Sequence, residues 1–434
     1  MLRLPRVTAM LSRTHPAVFS FYAIVAAFST YFCMYAFRKP FAAGTFEGQV
    51  ELPYVGSLSY KTLFIVSQVL GYCLSKFLGI KIISELPGAK RAAAIFLVIF
   101  VAWASLLAFA VVPAPYNAIC LFVNGLPLGM VWGLVFGFLE GRRLSEILGA
   151  GLSASYILAS GVVKSIGRML IDSGVSEYWM PFFVGAIFAV PMGIAVTMLS
   201  NLPPPSPEDE AARSKREPMD GTARKTFFLK YFVGLTALTG LYILLTAYRD
   251  FRDNFAVEIW AELGYSGSPE VLATAEIPVT VGTLVVLALL MLIKDNRKAL
   301  LAVHAIMAAG TGLIGVSTVL WQLGIISPGA WMVCLGLGLY VAYVPYGCVL
   351  FDRLIAAVGA VGTAGFLIYV TDAFGYLGSV ALMLYKDLGQ AELSWLEFFT
   401  TFSYVTAVAC TGLFVVSLVY FARVARSLKV APSP

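Results

Sequence analysis

Charge is scarce in this chain. Asp, Glu, Lys and Arg make up 12% of its 434 residues, about half the share that soluble domains carry. With 59% hydrophobic residues and a mean hydropathy of +0.85, that shortage excludes a soluble globular domain and makes the chain an integral membrane protein. Histidine is nearly missing. His15 precedes the first apolar run and His304 stands alone inside another, where a lone histidine is a packing residue rather than a catalyst. No H-E-x-x-H, no G-x-x-x-x-G-K-[ST] and no paired-cysteine spacing occurs, so the sequence offers no constellation for an enzyme, a metal or a cofactor. The six cysteines (Cys33, Cys73, Cys120, Cys334, Cys348 and Cys410) all lie in apolar runs and read as small core residues, neither disulfides nor ligands. The first apolar run lacks a following small-residue cleavage site and is expected to be kept as a span.

What the chain does have is apolar runs of bilayer-crossing length. Twelve are counted, at roughly 17–41, 57–79, 91–112, 117–140, 145–170, 179–200, 230–256, 271–293, 299–322, 328–352, 361–385 and 398–422. The net charge of +6 points to nucleic acid only if its placement is ignored. Alternate loops hold Lys81, Lys90, Arg91, Arg142, Arg143, Arg213, Lys215, Arg216, Arg224, Lys225, Lys294, Arg297 and Lys298, whereas loops 113–116 and 323–327 hold no basic residue. That positive-inside pattern places both termini in the cytoplasm of a plasma or inner membrane. The bilayer and a small anionic solute are therefore the expected partners, with a monomer as the expected unit.

The one polar connector, 201–228, is rich in Pro, Ser and mixed charge and suits a cytoplasmic linker. It divides the chain into 1–200 and 229–434, six runs on each side. The two sides repeat one another. Ala36-Phe37-Arg38 answers Ala247-Tyr248-Arg249, Gly125-Leu126 answers Gly336-Leu337, and Ser160 to Gly167 answers Thr371 to Gly378, all at one offset of 211 positions. The expected fold is thus an all-α membrane protein of twelve helices in two six-helix bundles, the parallel-repeat architecture of the major facilitator transporters.

Polar residues inside such runs carry the functional signal, because an intramembrane charge must face a partner or a watery cavity. Arg38 arrives after about 20 residues of apolar helix and has no acidic neighbour before Glu47. Arginine binds phosphate or carboxylate through a planar two-pronged fork and keeps its charge when desolvated. With Arg249 in the matching place, two forks suggest a two-fold anion clamp, although Arg38 as a residue snorkelling to the headgroups stays open. Lys61 and Gln68 share a helix face, as do Lys164 and Arg168. Lys76 lies near the cytoplasmic end of its span, where a lone lysine ordinarily snorkels. Glu276, beside Pro278, and Asp372 are the carboxylates expected to couple or gate, with Glu276 expected to pair with Lys164 or share a water with it. The runs Gly149-Ala150-Gly151 and Gly336-Leu337-Gly338 read as close helix packing in lipid.

The segment YFCMYAFRKPFA, residues 31–42, resembles the first-span signature of the organophosphate:phosphate antiporters, a Tyr-rich helix ending in Arg-Lys-x-Phe-Ala. Tyr31, Tyr35, Arg38, Lys39, Phe41 and Ala42 match it. Tyr72-x-x-Ser75-Lys76-Phe77 is similar to that family's second-span Tyr-Gly-x-Ser-Lys-Phe, and Gly129-Met130-x-Trp132 and Ile277-Pro278 are further short matches. The chain departs from the family at Ser84-Glu85-Leu86, at Gly133-Leu134 and Phe136-Gly137, and at Ala159-Ser160, where glycerol-phosphate members carry a histidine. The resemblance implies that Arg38 and Arg249 bind the substrate phosphate, with Arg252 a competing match for the second. Tyr35, Lys76 and Lys164 join them as candidate substrate contacts.

Three readings remain. One is a secondary transporter exchanging a phosphorylated or similar organic anion against inorganic phosphate. A second is a proton-coupled carrier of a carboxylate or other small solute, with Glu276 or Asp372 taking the proton. The third is a transport-fold receptor for an anion, against which the short loops argue.

Overall fold

A computed structural model describes residues 4–54, 56–139, 145–204, 221–358 and 364–430. Among these residues, 11 helices are long and apolar enough to cross a membrane. A further helix, Ala364–Leu384, occupies the expected run 361–385, so each of the expected runs holds a long helix. The linker differs from its expectation at one end. Residues 205–220 lie outside the described residues, while Gly221–Lys230 is helical.

Proline and small polar residues set several helix ends. Helix Pro16–Tyr35 opens with proline, and His15 Nδ1 accepts the Ala17 backbone N–H at 3.3 Å. Helix Pro328–Pro345 opens on proline too, under the side chain of Ser327. At Pro345 the chain passes into a π-helical turn, Tyr346–Leu350, before helix Phe351–Val358, a local widening of the kind proline provokes.

The chain forms two compact units. One comprises Met1–Ala212, Phe251–Ile277 and Val380–Phe398, and the other Arg213–Asp250, Pro278–Ser379 and Phe399–Pro434. In the first unit, helices Tyr60–Glu85 and Ala118–Phe136 meet backbone to backbone. A β-carbon on Gly71 would lie 2.1 Å from the Phe122 carbonyl oxygen, and one on Gly125 would lie 2.2 Å from that of Gln68. In the second unit, a β-carbon on Gly338 would lie 2.5 Å from the Gly310 carbonyl oxygen. Lipid supplies no hydrophobic drive between helices, so such close approach is what holds them. Gly151, with Ile24 against it, packs as the sequence suggested.

One element went unforeseen. Between the first two spans, Gln49–Leu52 pairs antiparallel with Gly56–Ser59, Gln49 opposite Ser59 and Leu52 opposite Gly56. Asp387 accepts the backbone N–H and the hydroxyl of Ser59 at 2.8 and 2.9 Å, tying the hairpin to the Val380–Phe398 segment of the same unit.

Candidate functional site

Arg38 does not ride on a helix as expected. Helix Pro16–Tyr35 stops a turn earlier, and Pro40–Ala43 forms a separate 3-10 turn. Pro40 has no N–H to give the carbonyl four residues back, and its ring crowds that carbonyl, so the helix ends before it and leaves backbone carbonyls for other groups to satisfy. Two buried amides take them. Gln68 Nε2 donates to the Arg38 carbonyl at 2.8 Å, and Asn124 Nδ2 donates to that of Phe37 at 3.0 Å. The two side chains also bond each other at 2.8 Å. Broken backbone inside a membrane survives only when packed protein satisfies it in this way.

The turn delivers the Arg38 guanidinium onto aromatic faces. Its central carbon lies 3.8 Å from the Tyr72 ring centre and 5.8 Å from that of Tyr35. Lys76 Nζ approaches the Tyr72 ring at 5.1 Å. Tyr72, which the sequence offered only as part of a motif, thus lies under two buried cations. Arg38 is 3% exposed, and its burial on this ring replaces the snorkelling alternative.

Beside this cradle lies an ion-pair cluster, all within the first unit. Asp253 receives Lys39 and Lys164, each at 2.7 Å, and the hydroxyl of Ser160. Lys39 also bonds Asn254 at 2.8 Å. Lys61 pairs with Glu258 and donates to the Ala42 carbonyl at 3.1 Å. Arg252 pairs with Glu276 at 2.8 Å. The expected direct Lys164–Glu276 pair is therefore replaced by these two. Gly161 does bring Glu276 against the helix that carries Lys164, a β-carbon there meeting Glu276 Cγ at 3.1 Å. Lys164 lies three residues further along, where the side chain and carbonyl of Asp253 receive it. Arg168 bonds Asp172, one turn on, at 3.2 Å.

The second unit holds Arg249 in different chemistry. The Arg249 fork meets Asp250 Oδ1 at 2.8 and 3.2 Å, donates to the Tyr343 hydroxyl, and reaches the Tyr376 hydroxyl at 3.4 Å. Its plane also lies near both rings, 4.5 Å from the centre of Tyr343 and 5.7 Å from that of Tyr376. The other oxygen of Asp250 accepts the Ser379 hydroxyl at 2.8 Å. From Tyr343 the bonds continue to Tyr242 at 2.8 Å, and Tyr242 donates to Asp372. None of Tyr242, Tyr343 or Tyr376 stood out in sequence, because tyrosines in apolar runs look like core until their neighbours are known. His304 is buried between Leu300 and Ser417, bonded to both, in keeping with a packing role.

Among the described residues, Arg38, Lys39, Lys61, Lys76, Lys164, Arg252, Lys386 and Asp250 are charged and buried. The carboxylates that receive Lys39, Lys164, Lys61 and Arg252 are only slightly more open, Asp253 and Glu258 at 14% and Glu276 at 12%, so that cluster is one of paired charge, whereas Arg38 and Lys76 lie over the Tyr72 ring.

Comparison with known proteins gives fold and family. The family described as "Family of unknown function (DUF5690)" matches residues 40–424. No curated protein matches the chain. Among solved structures, a D-xylose–proton symporter aligns at 17% identity with a TM-score of 0.55, covering 92% of this chain and 96% of its own. A bacterial homologue of the human drug peptide transporters PepT1 and PepT2 aligns at 12% identity with a TM-score of 0.58, covering 94% and 98%. This multi-pass membrane protein has the major facilitator fold.

Proposed function

Because the chain belongs to DUF5690, a family of unknown function, we propose its activity from its own residues and its fold: a secondary transporter that moves a small organic anion by alternating access. The anion is of the phosphorylated class and exchanges against inorganic phosphate. Arg38 and Arg249 supply the forks that bind it, with Tyr35 and Lys76 beside the first. The observation that carries this reading is the Arg38 guanidinium, 3% exposed, lying on the Tyr72 ring with Lys76 over the same ring. Arginine on a tyrosine face is desolvated yet still charged, the state in which a fork binds phosphate best. Lys164, Arg252 and Glu276 act in ion pairs of the first unit; Arg249, at the repeat position of Arg38 and against two tyrosine rings as Arg38 is, is the second fork. The two sequence halves serve as the moving bundles, with both termini cytoplasmic in the plasma or inner membrane and a monomer as the working unit.

The test is a thermal-unfolding screen of the purified protein against inorganic phosphate, phosphate esters and carboxylates, since a ligand of the folded state raises its stability. Phosphate esters and phosphate are expected to stabilise, and proteoliposomes loaded with phosphate to exchange it for labelled phosphate outside. Stabilisation by carboxylates alone would overturn the phosphate assignment. Binding without any exchange would instead make the protein a receptor.

A further inference from the structure

A short helix, Pro5–Ser12, precedes the first span within the first unit. At 3.6 residues per turn, Leu4, Val7 and Leu11 fall on one side of its axis and Arg6, Met10 and Arg13 on the other. Leu11 is buried and Val7 half-buried, whereas Arg6, Met10 and Arg13 are exposed. Asn201, just past helix Met180–Ser200, accepts the Leu4 backbone N–H and pins the short helix there. Between it, the start of Pro16–Tyr35 and the end of Met180–Ser200 lies a groove of about 520 Å³, within the ~300–1,000 Å³ of small-ligand sites. Val7, Tyr22, Val190 and Ile194 line it, and a β-carbon on Gly193 would meet nothing within 4 Å. The polar side chains of its lining already donate inside the fold: Tyr22 to the Met198 carbonyl at 3.1 Å, Thr197 to that of Gly193 at 2.8 Å, and Asn201 to that of Thr197 at 2.7 Å. Such a groove suits hydrocarbon, which asks for no hydrogen bond.

Beside the groove the charge has one sign. Arg6 adjoins Val7 in the chain and Arg13 caps the end of the helix. Their guanidinium groups make no hydrogen bond or ion pair among the described residues, and no acidic residue precedes Glu47. A helix with one apolar side and one arginine-bearing side lies along the bilayer surface, the first side toward hydrocarbon and the arginines at the headgroups. We infer that this helix and groove bind an anionic phospholipid, with one acyl chain in the groove and the phosphate taken by Arg6 and Arg13. Arginine meets phosphate oxygens with its planar fork. A net anionic headgroup also lacks the ammonium that a zwitterionic one sets beside its phosphate, which the arginines repel. This lipid site does not depend on the anion reading of Arg38 and Arg249, whose ligand is a small solute.

Thermal unfolding of the purified full chain in neutral detergent, titrated with phosphatidylglycerol or phosphatidylcholine, tests the site, because a ligand of the folded state raises its stability. Phosphatidylglycerol is expected to stabilise at a lower mole fraction than phosphatidylcholine. Arg6→Gln combined with Arg13→Gln should need about 20-fold more of it for the same shift, roughly fivefold for each basic side chain at an anionic surface. Arg6→Lys combined with Arg13→Lys keeps the charge and should keep most of the response. Gly193→Phe, which fills the groove, should weaken the response and leave the unfolding midpoint without lipid unchanged. Arg38→Lys should respond to phosphatidylglycerol as the wild type does. Equal stabilisation by the two lipids overturns the headgroup assignment, and a full response in Gly193→Phe overturns the place of the chain. Stabilisation by glycerophosphoglycerol, which has the head and no chains, would make the ligand a soluble phosphate ester. Loss of the response in Arg38→Lys would move the lipid to the transport site. A glutamine variant destabilised as much without lipid as with it would give the arginines an acidic partner in the chain itself. Each of these three results overturns the lipid site as well.

Discussion

Arg38 and Arg249 stand at the same place in the two halves of the sequence, 211 positions apart, yet the backbone beneath them differs. The first lies in a break after Tyr35, the second on an unbroken helix, Phe232–Asn254. The same offset explains why. Pro40, which forces the break, corresponds to Phe251. Gln68 and Asn124, which satisfy the freed carbonyls, correspond to Val279 and Leu335, apolar residues where no carbonyl needs a partner. Charge diverges as well: Lys39 follows the first arginine and Asp250 the second. Both guanidinium groups nevertheless lie against two tyrosine rings, with nearest centres at 3.8 and 4.5 Å. Aromatic burial of the fork is what the halves share. How the surrounding charge is balanced is where they have specialised.

The largest expected effect breaks that balance. Asp253→Asn leaves Lys39 and Lys164 buried against a neutral amide and should cost about 3–5 kcal/mol, as for a broken buried pair. Asp250→Asn should cost less, because the Tyr343 and Tyr376 hydroxyls remain at the Arg249 fork. Thermal unfolding of both variants in one detergent ranks them. If Asp250→Asn were the more damaging, the contrast between a distant and an adjacent counter-charge would collapse.

The next test concerns the forks. Lysine keeps the charge of arginine and loses the planar geometry. Arg38→Lys and Arg249→Lys should each weaken phosphate-ester binding by about 1.5–3 kcal/mol, the worth of a charge-assisted hydrogen bond, with Arg252→Lys milder because Arg252 stands outside the repeat-related pair. Ligand affinity, with folded yield as the control, provides the check. Unchanged affinity in Arg38→Lys would remove the phosphate reading.

Smaller again is the effect of the amides. Asn124→Leu, which copies the second half, strands the Phe37 carbonyl and should cost about 1–3 kcal/mol of stability. The mirror change at Leu335 to Asn would bury an amide with no freed carbonyl to serve. A stable Asn124→Leu would show that the break at Arg38 does not depend on these bonds.

Much of this was open to sequence reading, because a charge in an apolar run stands out. The spans, the repeat and Arg38 all follow from that contrast. Partner choice did not. Lys164 pairs with Asp253 rather than Glu276, and the outcome turned on a one-turn difference that counting along separate helices does not resolve. The break at Arg38 had a signal that went unused: Pro40 after the arginine, with Gln68 and Asn124 as lone amides in neighbouring spans. The tyrosines had none. Their composition is that of core, and only the fold shows which rings meet a guanidinium.

The finest test separates ring from hydroxyl. Tyr343 serves Arg249 in two ways, through its ring at 4.5 Å and through a hydroxyl that accepts from the fork. Tyr343→Phe keeps the ring and removes the acceptor, so it should cost about 1.5–3 kcal/mol in stability, the range for a hydrogen bond to a charged group. Tyr72 lies closer to its arginine, at 3.8 Å, where the ring face itself attracts the cation. The difference between Tyr72→Leu and Tyr72→Phe isolates that face, whatever the Tyr72 hydroxyl does, and should come to about 1–2 kcal/mol for a desolvated site. Thermal unfolding of the three variants measures both quantities. The contrast holds if the ring dominates at Arg38 and the hydroxyl is felt at Arg249. Equal stability of Tyr72→Leu and Tyr72→Phe would mean that the first arginine, too, is held by something other than its aromatic face.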